Sequence, residues 1–511
     1  MKNLIKLLFA TATIFILFTF SGCKKPNEGV EPIINPTISE YTVSVRLLDA
    51  ETNSEIKGSS IKIVGDDANS VFDNSGERPQ LAEDGFLELI AVTNANPSAS
   101  NPIRFSIKVE NKNYFATLTP ITINKKGNQT IEIKLINKST LIGGNVGITQ
   151  KEFILESDQT LKQEEIITAT PDNGTGKAEV IIGSDVKFSD ANNVTIKNKL
   201  KVEFAYFNHL DETTISAFPG GLEAHTENNE VIVFKSAGLV SLKMQDSDGK
   251  IVKNISKPIT MNITIPDGST DSENKPIVPG TIIPVWSLNE ITGKWKLEGE
   301  TKVKLENGEL VAQFKMNHLS YWNLDFYGYT CNTGATLNIQ SNFTSDYYTN
   351  ATLEYSNGTS KNLYGLNLKN GTSYTLLRAP QGLSGKLILP EPFNTITPIT
   401  SLCSGTTTVS VNSTGMQSIK VSIIGKCGTK EVKWPTLSVY AKAKNASFWE
   451  YLGQMENGNF ETYKLKLGNE YQFGTWYNKW IQSDPVKVTE TNYKITKSLE
   501  VNSKACGLLT K

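Results

Sequence analysis

The chain of 511 residues carries 51 Lys and Arg against 52 Asp and Glu, so it has no basic excess with which to displace counterions from a nucleic-acid backbone. Only four arginines occur, Arg46, Arg78, Arg104 and Arg378, and nucleic acid is not an expected partner. The length suffices for roughly three or four domains of about 100–200 residues each.

Lys2 and Lys6 head an apolar run from Leu7 to Phe20, which closes as Phe20-Ser21-Gly22-Cys23. A positive start, an apolar stretch and small residues before a cut are the marks of a secretory signal. The run is shorter than the roughly 20 residues that span a bilayer. Its end resembles the lipobox of bacterial lipoproteins, with Phe20 where leucine is usual. That resemblance implies removal of residues 1–22 and lipidation of Cys23, so the mature chain would reach the membrane through acyl chains, which anchor stably when more than one is present. Residues 23–40 are polar, hold Pro26, Pro32 and Pro36, and read as a tether. Because Lys24 rather than Asp follows Cys23, the resemblance implies the outer membrane, on its periplasmic face or at the cell surface.

From Tyr41 the pattern has period two. Tyr41 to Leu47, Ile61-Lys62-Ile63, Phe86 to Leu89, Phe105 to Val109 and Ile131 to Leu135 alternate apolar with polar residues, and turn clusters such as Gly65-Asp66-Asp67 separate them. Such alternation predicts half-buried strands. Residues 41–137 are therefore expected to form a small β-sandwich, similar to prealbumin-like and carboxypeptidase-regulatory-like modules.

Residues 138–327 carry Phe218-Pro219-Gly220-Gly221-Leu222-Glu223-Ala224, Phe234 to Gly238, Ile283-Pro284-Val285-Trp286, Thr292-Gly293-Lys294-Trp295 and His318-Leu319-Ser320-Tyr321-Trp322. That order resembles the extracellular β-rich module of the cartilage intermediate layer protein family, which implies a secreted, non-catalytic β-sandwich assembly. Trp286, Trp295 and Trp322, on short strands between Pro and Gly turns, are expected to fill a core. His318, Ser320 and Asp325 match the residue types of a nucleophilic triad. They lie within eight residues on one strand and its exit, and no Gly-x-Ser-x-Gly elbow accompanies them, so a structural histidine is expected. Asp246-Ser247-Asp248-Gly249 has the look of a calcium loop, but Asp-Gly between apolar strands reads as a turn. Residues 267–280 are expected to form an exposed loop.

In the C-terminal half Cys331 and Cys427 stand 96 apart, as do Glu354-Tyr355 and Glu450-Tyr451, while Gly371 to Tyr374 and Gly468 to Tyr471 are offset by 97. A near-constant offset marks an internal repeat. Two tandem β-sandwiches are expected, 328–410 and 411–511, each closed by its own disulfide, Cys331 with Cys403 and Cys427 with Cys506. The even cysteine number in an exported chain favours disulfides, and the wide spacing gives no metal site.

The fold class is thus all-β: tandem Ig-like or prealbumin-like sandwich modules, the last two a duplication. With three histidines, His209, His225 and His318, and no nucleophile or metal spacing, no enzyme activity and no cofactor are expected, a hydrolase being the least favoured reading. The expected function is modular binding or adhesion at the outer membrane or cell surface, with a glycan or a surface protein as ligand. The alternative is a glycan-binding accessory lipoprotein of a polysaccharide-uptake system. The last repeat is rich in aromatic residues, and Trp476, Tyr477 and Trp480, at an expected turn, are the candidate ligand-contacting residues because exposed Trp and Tyr dominate binding hot spots.

Overall fold

The computed structural model describes residues 40–511 except 74–75, 93–95, 99, 433, 435, 478, 500–505 and 507–511. The signal segment, Cys23 and the tether up to residue 39 lie outside the described residues. What is described is nearly all strand, and the strands pair within four consecutive stretches of chain, giving tandem β-sandwich modules.

The first module consists of two four-stranded sheets. In one, Tyr41–Asp49 lies between Phe86–Ala91 and Gly127–Leu135; in the other, Ser59–Val64 and Ile103–Glu110 are central and Thr117–Ile123 forms an edge. The first strand runs parallel to the last, from Tyr41 opposite Gly127 to Asp49 opposite Leu135. Val43, Val45, Leu47, Phe105, Ile107 and Val109 fill the space between the sheets, which is the apolar half of the alternation. The polar half departs from expectation. All nine residues of Tyr41–Asp49 are buried, as are all six of Phe86–Ala91, because the face bearing Ser44, Arg46 and Glu88 is covered by the fourth module.

The second module packs a seven-stranded sheet against a six-stranded one. Phe204, Leu242 and Trp322 from the first interdigitate with Ile167, Val180 and Met261 from the second. Trp286 and Trp295 are buried too, but in a different place: they join Phe115 and Leu118 of the first module in a shared apolar seam, with Phe234 edge-on to both rings. Tyr321 Oη donates across the same seam to the Ala116 carbonyl at 2.6 Å. Asp246-Ser247-Asp248-Gly249 is a turn in which Asp246 Oδ1 accepts from the backbone N–H of Asp248 and Lys250. It closes a Gln245–Ile251 bridge, after which the chain crosses to the opposite sheet. In the 267–280 loop Ser269 and Ile277 are buried, against the expectation that the whole segment is exposed.

The third and fourth modules repeat one plan. In each the first strand pairs in parallel with the last, Thr336–Gln340 with Thr406–Ser410 and Ile419–Cys427 with Asn492–Leu499. A second, antiparallel sheet packs over that pair, formed by residues 348–399 in the third module and 437–487 in the fourth. The disulfides Cys331–Cys403 and Cys427–Cys506 span Cα distances of 5.4 and 5.7 Å. Landmarks 96 residues apart nevertheless fall at different strand positions. Cys331 and Cys403 precede the two strands of their parallel pair, whereas Cys427 ends the first strand of its pair and Cys506 follows the second, so the two bridges pin opposite ends of equivalent ladders.

The fourth module folds back onto the first. Trp480 stacks on Phe86 with centroids 3.9 Å apart, and Tyr440 meets the same ring edge-on. Beside them Ser44 Oγ lies 2.6 Å from Ser438 Oγ and 3.1 Å from Glu88 Oε2. Arg46 reaches Glu55 at 3.0 Å and Glu132 at 3.2 Å. Each carboxylate also holds a neighbouring module, Glu55 through the Trp449 backbone N–H and Glu132 through Asn350 Nδ2. Burial pushes the Glu88 carboxyl up to about 7, against the opposing pull of Ser44 and Ser438. A carboxyl raised in the folded state favours folding when protonated, so its contribution is complete below its ordinary value near 4.5 and is lost as pH rises towards 7. Glu88→Gln, which keeps the shape and an acceptor for Ser44, should flatten that section of the pH profile. At pH 8 it should raise unfolding free energy by on the order of 2 kcal/mol over the parent, as read by urea denaturation.

Candidate binding cleft

A cleft of about 1250 Å³ opens where the modules converge. The first module contributes its two edge strands, Thr117–Ile123 and Gly127–Leu135, with the loop between them. The second contributes residues 209–223 and 233–236, the third residues 352–378, and the fourth Tyr451 and Gln454. The cleft is formed by the docking of modules, and no single stretch of sequence contains it.

Arg378 pins three modules at its base. From the third module it meets Glu223 of the second at 2.6 Å and donates to Thr122 Oγ1 of the first at 2.6 Å. Its backbone has φ of 58°, a left-handed conformation that a non-glycine residue adopts at a cost and that the three-way attachment sustains. Lys361 reaches the same carboxylate at 2.6 Å. Burial alone would raise the Glu223 carboxyl, but the Arg378 guanidinium and then the Lys361 ammonium outweigh it and hold it at about 2. Nearby, burial pushes His225 down to about 4, with Glu223 pulling the other way. His209, which lines the cleft, is brought to about 4 by burial and places Nε2 3.0 Å from Ser269 Oγ. Both histidines are therefore neutral at pH 7.

Some of the other charged groups in the lining are likewise engaged, whereas Lys125, Lys134 and Glu212 enter no ion pair among the described residues. Glu132 holds Arg46 and Glu354 holds Lys386. Lys235 donates to Asn274 Oδ1 and to the Asn357 carbonyl, so the 267–280 loop is tied to the third module through Asn274. Hydroxyl and amide side chains outnumber charged ones along the walls.

The residues singled out from sequence lie elsewhere. Tyr477 is wholly buried in the core of the fourth module, which corrects its reading as a ligand contact: the strand alternation turns it inward. Trp480 gives one face to Phe86 and its edge to Trp449, and Trp476 is half-buried beside the same aromatic cluster. The aromatic surplus of the last repeat closes the assembly on the first module. His318 Nε2 lies 3.2 Å from Glu298 Oε1, and Ser320 Oγ donates to the Leu288 carbonyl. Asp325 is buried, accepts from Asn323 Nδ2 at 2.7 Å, and is pushed up to about 8 by that burial. These three have separate partners and do not form a relay.

No family model matches the chain, and no curated protein matches it. Among solved structures, the Bacillus anthracis TIE protein is 10% identical over 72% of this chain, with a TM-score of 0.13, and the chain spans 63% of its length. The major pilin subunit of Bacillus cereus is 12% identical over 90% of this chain and 98% of its own, with a TM-score of 0.14. The shaft pilin of Lactobacillus rhamnosus GG is 7% identical over 32% of this chain and 97% of its own, with a TM-score of 0.16.

Two substitutions test the geometry. Glu223 is depressed in the folded state, so its contribution is present above about 4.5 and lost as pH falls towards 2. Glu223→Gln should abolish that acid-side dependence and, at pH 7, lower stability by roughly 2 kcal/mol. This is less than the roughly 3–5 kcal/mol of a fully buried pair, because Arg378 and Lys361 retain side-chain exposures of 25% and 32%. Trp480→Ala should lower stability by about 3 kcal/mol in urea unfolding, as for other packed large aromatics; an unchanged midpoint would mean that the ring does not carry the contact between the first and last modules.

Proposed function

We propose that this chain is a non-catalytic binding or adhesion protein of the outer membrane or cell surface, tethered through a lipid on Cys23, and that the cleft between the modules is its ligand seat. The observation that carries the reading is the cleft itself. It is large and preformed, and most of the carboxylates in it are committed to holding the walls together: Glu223 to Arg378 and Lys361, Glu132 to Arg46, Glu354 to Lys386. A site that does general acid–base or nucleophilic work needs a titratable group free to face the reacting atoms, and here such groups serve as braces. Concave, preformed sites are where ligands bind by default. The resemblance of residues 138–327 to the cartilage intermediate layer protein module belongs to the same reading, since it too implies a non-catalytic extracellular assembly.

The test uses membrane vesicles carrying the full-length chain, offered to surfaces coated with polysaccharides or with matrix proteins. Ser360, exposed on the cleft wall, is changed to Cys and capped with a bulky maleimide. Capping should abolish vesicle retention, and unaltered retention would remove the cleft from consideration. In parallel, Cys23→Ser should move the chain from the membrane to the soluble fraction. If it stays in the membrane, and the parent takes up no labelled fatty acid, the lipid tether is refuted.

A further inference from the structure

The chemistry of the walls narrows the ligand. We infer that the cleft takes an uncharged oligosaccharide segment, a proposal that rests on the reading of the cleft as the ligand seat. Three features lead there. The charges at the base are quenched within the walls, so neither an anionic nor a cationic ligand finds a free counter-charge there: the Glu223 carboxylate already faces two cations, and each of those cations faces it, while Lys125, Lys134 and Glu212, lining charges outside any ion pair among the described residues, are of both signs. What the base leaves open are neutral groups. The hydroxyls of Tyr355 and Tyr374 have no hydrogen-bond partner among the described residues, and neither is sealed away from the cleft. Both phenols are raised by burial of their surroundings, so at neutral pH they are O–H donors as well as acceptors. A sugar hydroxyl has the same dual character, and many weak neutral hydrogen bonds suit it.

Size and backbone geometry exclude two competitors. The volume exceeds the roughly 300–1,000 Å³ of small-ligand pockets, which favours several linked units over one small molecule. An extended peptide, the other long neutral ligand, would bind by adding a strand to a free edge. Two of the edges lining the cleft, Gly127–Leu135 and Ser360–Asn367, already abut. A Cβ placed on Gly365 would stand 3.1 Å from Thr130 Oγ1, which leaves no room for a strand between them. Gly365 has φ of 64°, a conformation that suits glycine and permits this close approach. A third edge, Thr117–Ile123, carries Pro120, which has no N–H to offer an incoming chain, and a fourth, Ser373–Thr375, is only 3 residues long.

The experiment titrates the full-length chain with neutral polymers (dextran, mannan and arabinoxylan), with anionic ones (alginate and heparin), and with unfolded casein as an extended polypeptide. It uses affinity electrophoresis and calorimetry at low and high salt. At least one neutral polymer should bind with little dependence on salt. The double substitution Tyr355→Phe with Tyr374→Phe, which removes two oxygens and no packing, should weaken that binding about tenfold with an unchanged melting temperature, the size expected for two neutral hydrogen bonds. Preference for alginate or heparin with steep salt dependence, binding of casein alone, or full affinity in the double variant would each overturn the inference. So would the absence of binding to any neutral polymer. These failures are separable from failure of the ligand-seat reading: if capping Cys at position 360 still abolishes vesicle retention on matrix protein, the cleft remains the seat and only the ligand class is wrong.

Discussion

The arrangement depends on the burial of a polar sheet face. In a free-standing sandwich the side of Tyr41–Asp49 that carries Ser44 and Arg46 would meet water, as would Glu88 beside it. Here the fourth module covers it, so every one of those groups needs a partner from another strand or another module. Arg46 is the centre of this demand. It is a cation with 7% of its side chain exposed, set between two carboxylates and close to the rings of Phe86 and Tyr440. Removing Arg46 would leave both carboxylates with no cation between them, which is far costlier than never having buried the group. The same carboxylates fasten Trp449 and Asn350, so the first module's internal ion pairs also hold the third and fourth modules in place.

The cleft follows from that closure. Four sandwiches strung along a chain would share three junctions. Folding the last onto the first adds a fourth, and the contact of the first module with the third adds another through Arg378 and Asn350. Convex bodies pressed together on several sides leave an interstitial space, and here the space is walled by strand edges and loops, the regions of a sandwich richest in Thr, Asn and Tyr. The apolar seam between the first two modules, where Trp286, Trp295 and Tyr321 meet Phe115 and Leu118, is packed shut by comparison.

How much of this was legible depends on the range over which each signal acts. Alternation at Val43, Val45 and Leu47 or at Phe105, Ile107 and Val109 is local, and it marks strands whatever the neighbours do. The inward turn of Trp322 needs only its own module. The docking of modules leaves no local trace: Ser44 and Glu88 look like solvent-facing residues until Ser438 is placed over them. The aromatic cluster around Trp480 was visible as a surplus, but the sequence cannot distinguish a surplus that binds ligand from one that binds the chain's own first module. One faint signal was present. In a chain with only four arginines, Arg46 and Arg378 both sit where three modules meet and Arg104 lines a small cavity between the first two, whereas Arg78 serves its own module, donating to the Val71 carbonyl. Guanidinium suits such junctions because its planar fork can serve several acceptors at once, and rarity itself points to them.

The parallel pairing of first and last strands has a mechanical consequence. Because Tyr41–Asp49 and Gly127–Leu135 run in the same direction, the chain joins the first module at one end of the ladder and leaves it at the other; the third and fourth modules are threaded alike. Tension along the backbone therefore loads each ladder in shear, so that its hydrogen bonds must yield together, whereas a hairpin pulled from its open end would unzip rung by rung. The Cys331–Cys403 bridge crosslinks the leading end of one such ladder and Cys427–Cys506 the trailing end of the next, so a pull transmitted through both meets a covalent stop at each. A load entering the first module at Tyr41 is therefore borne by a whole ladder at once.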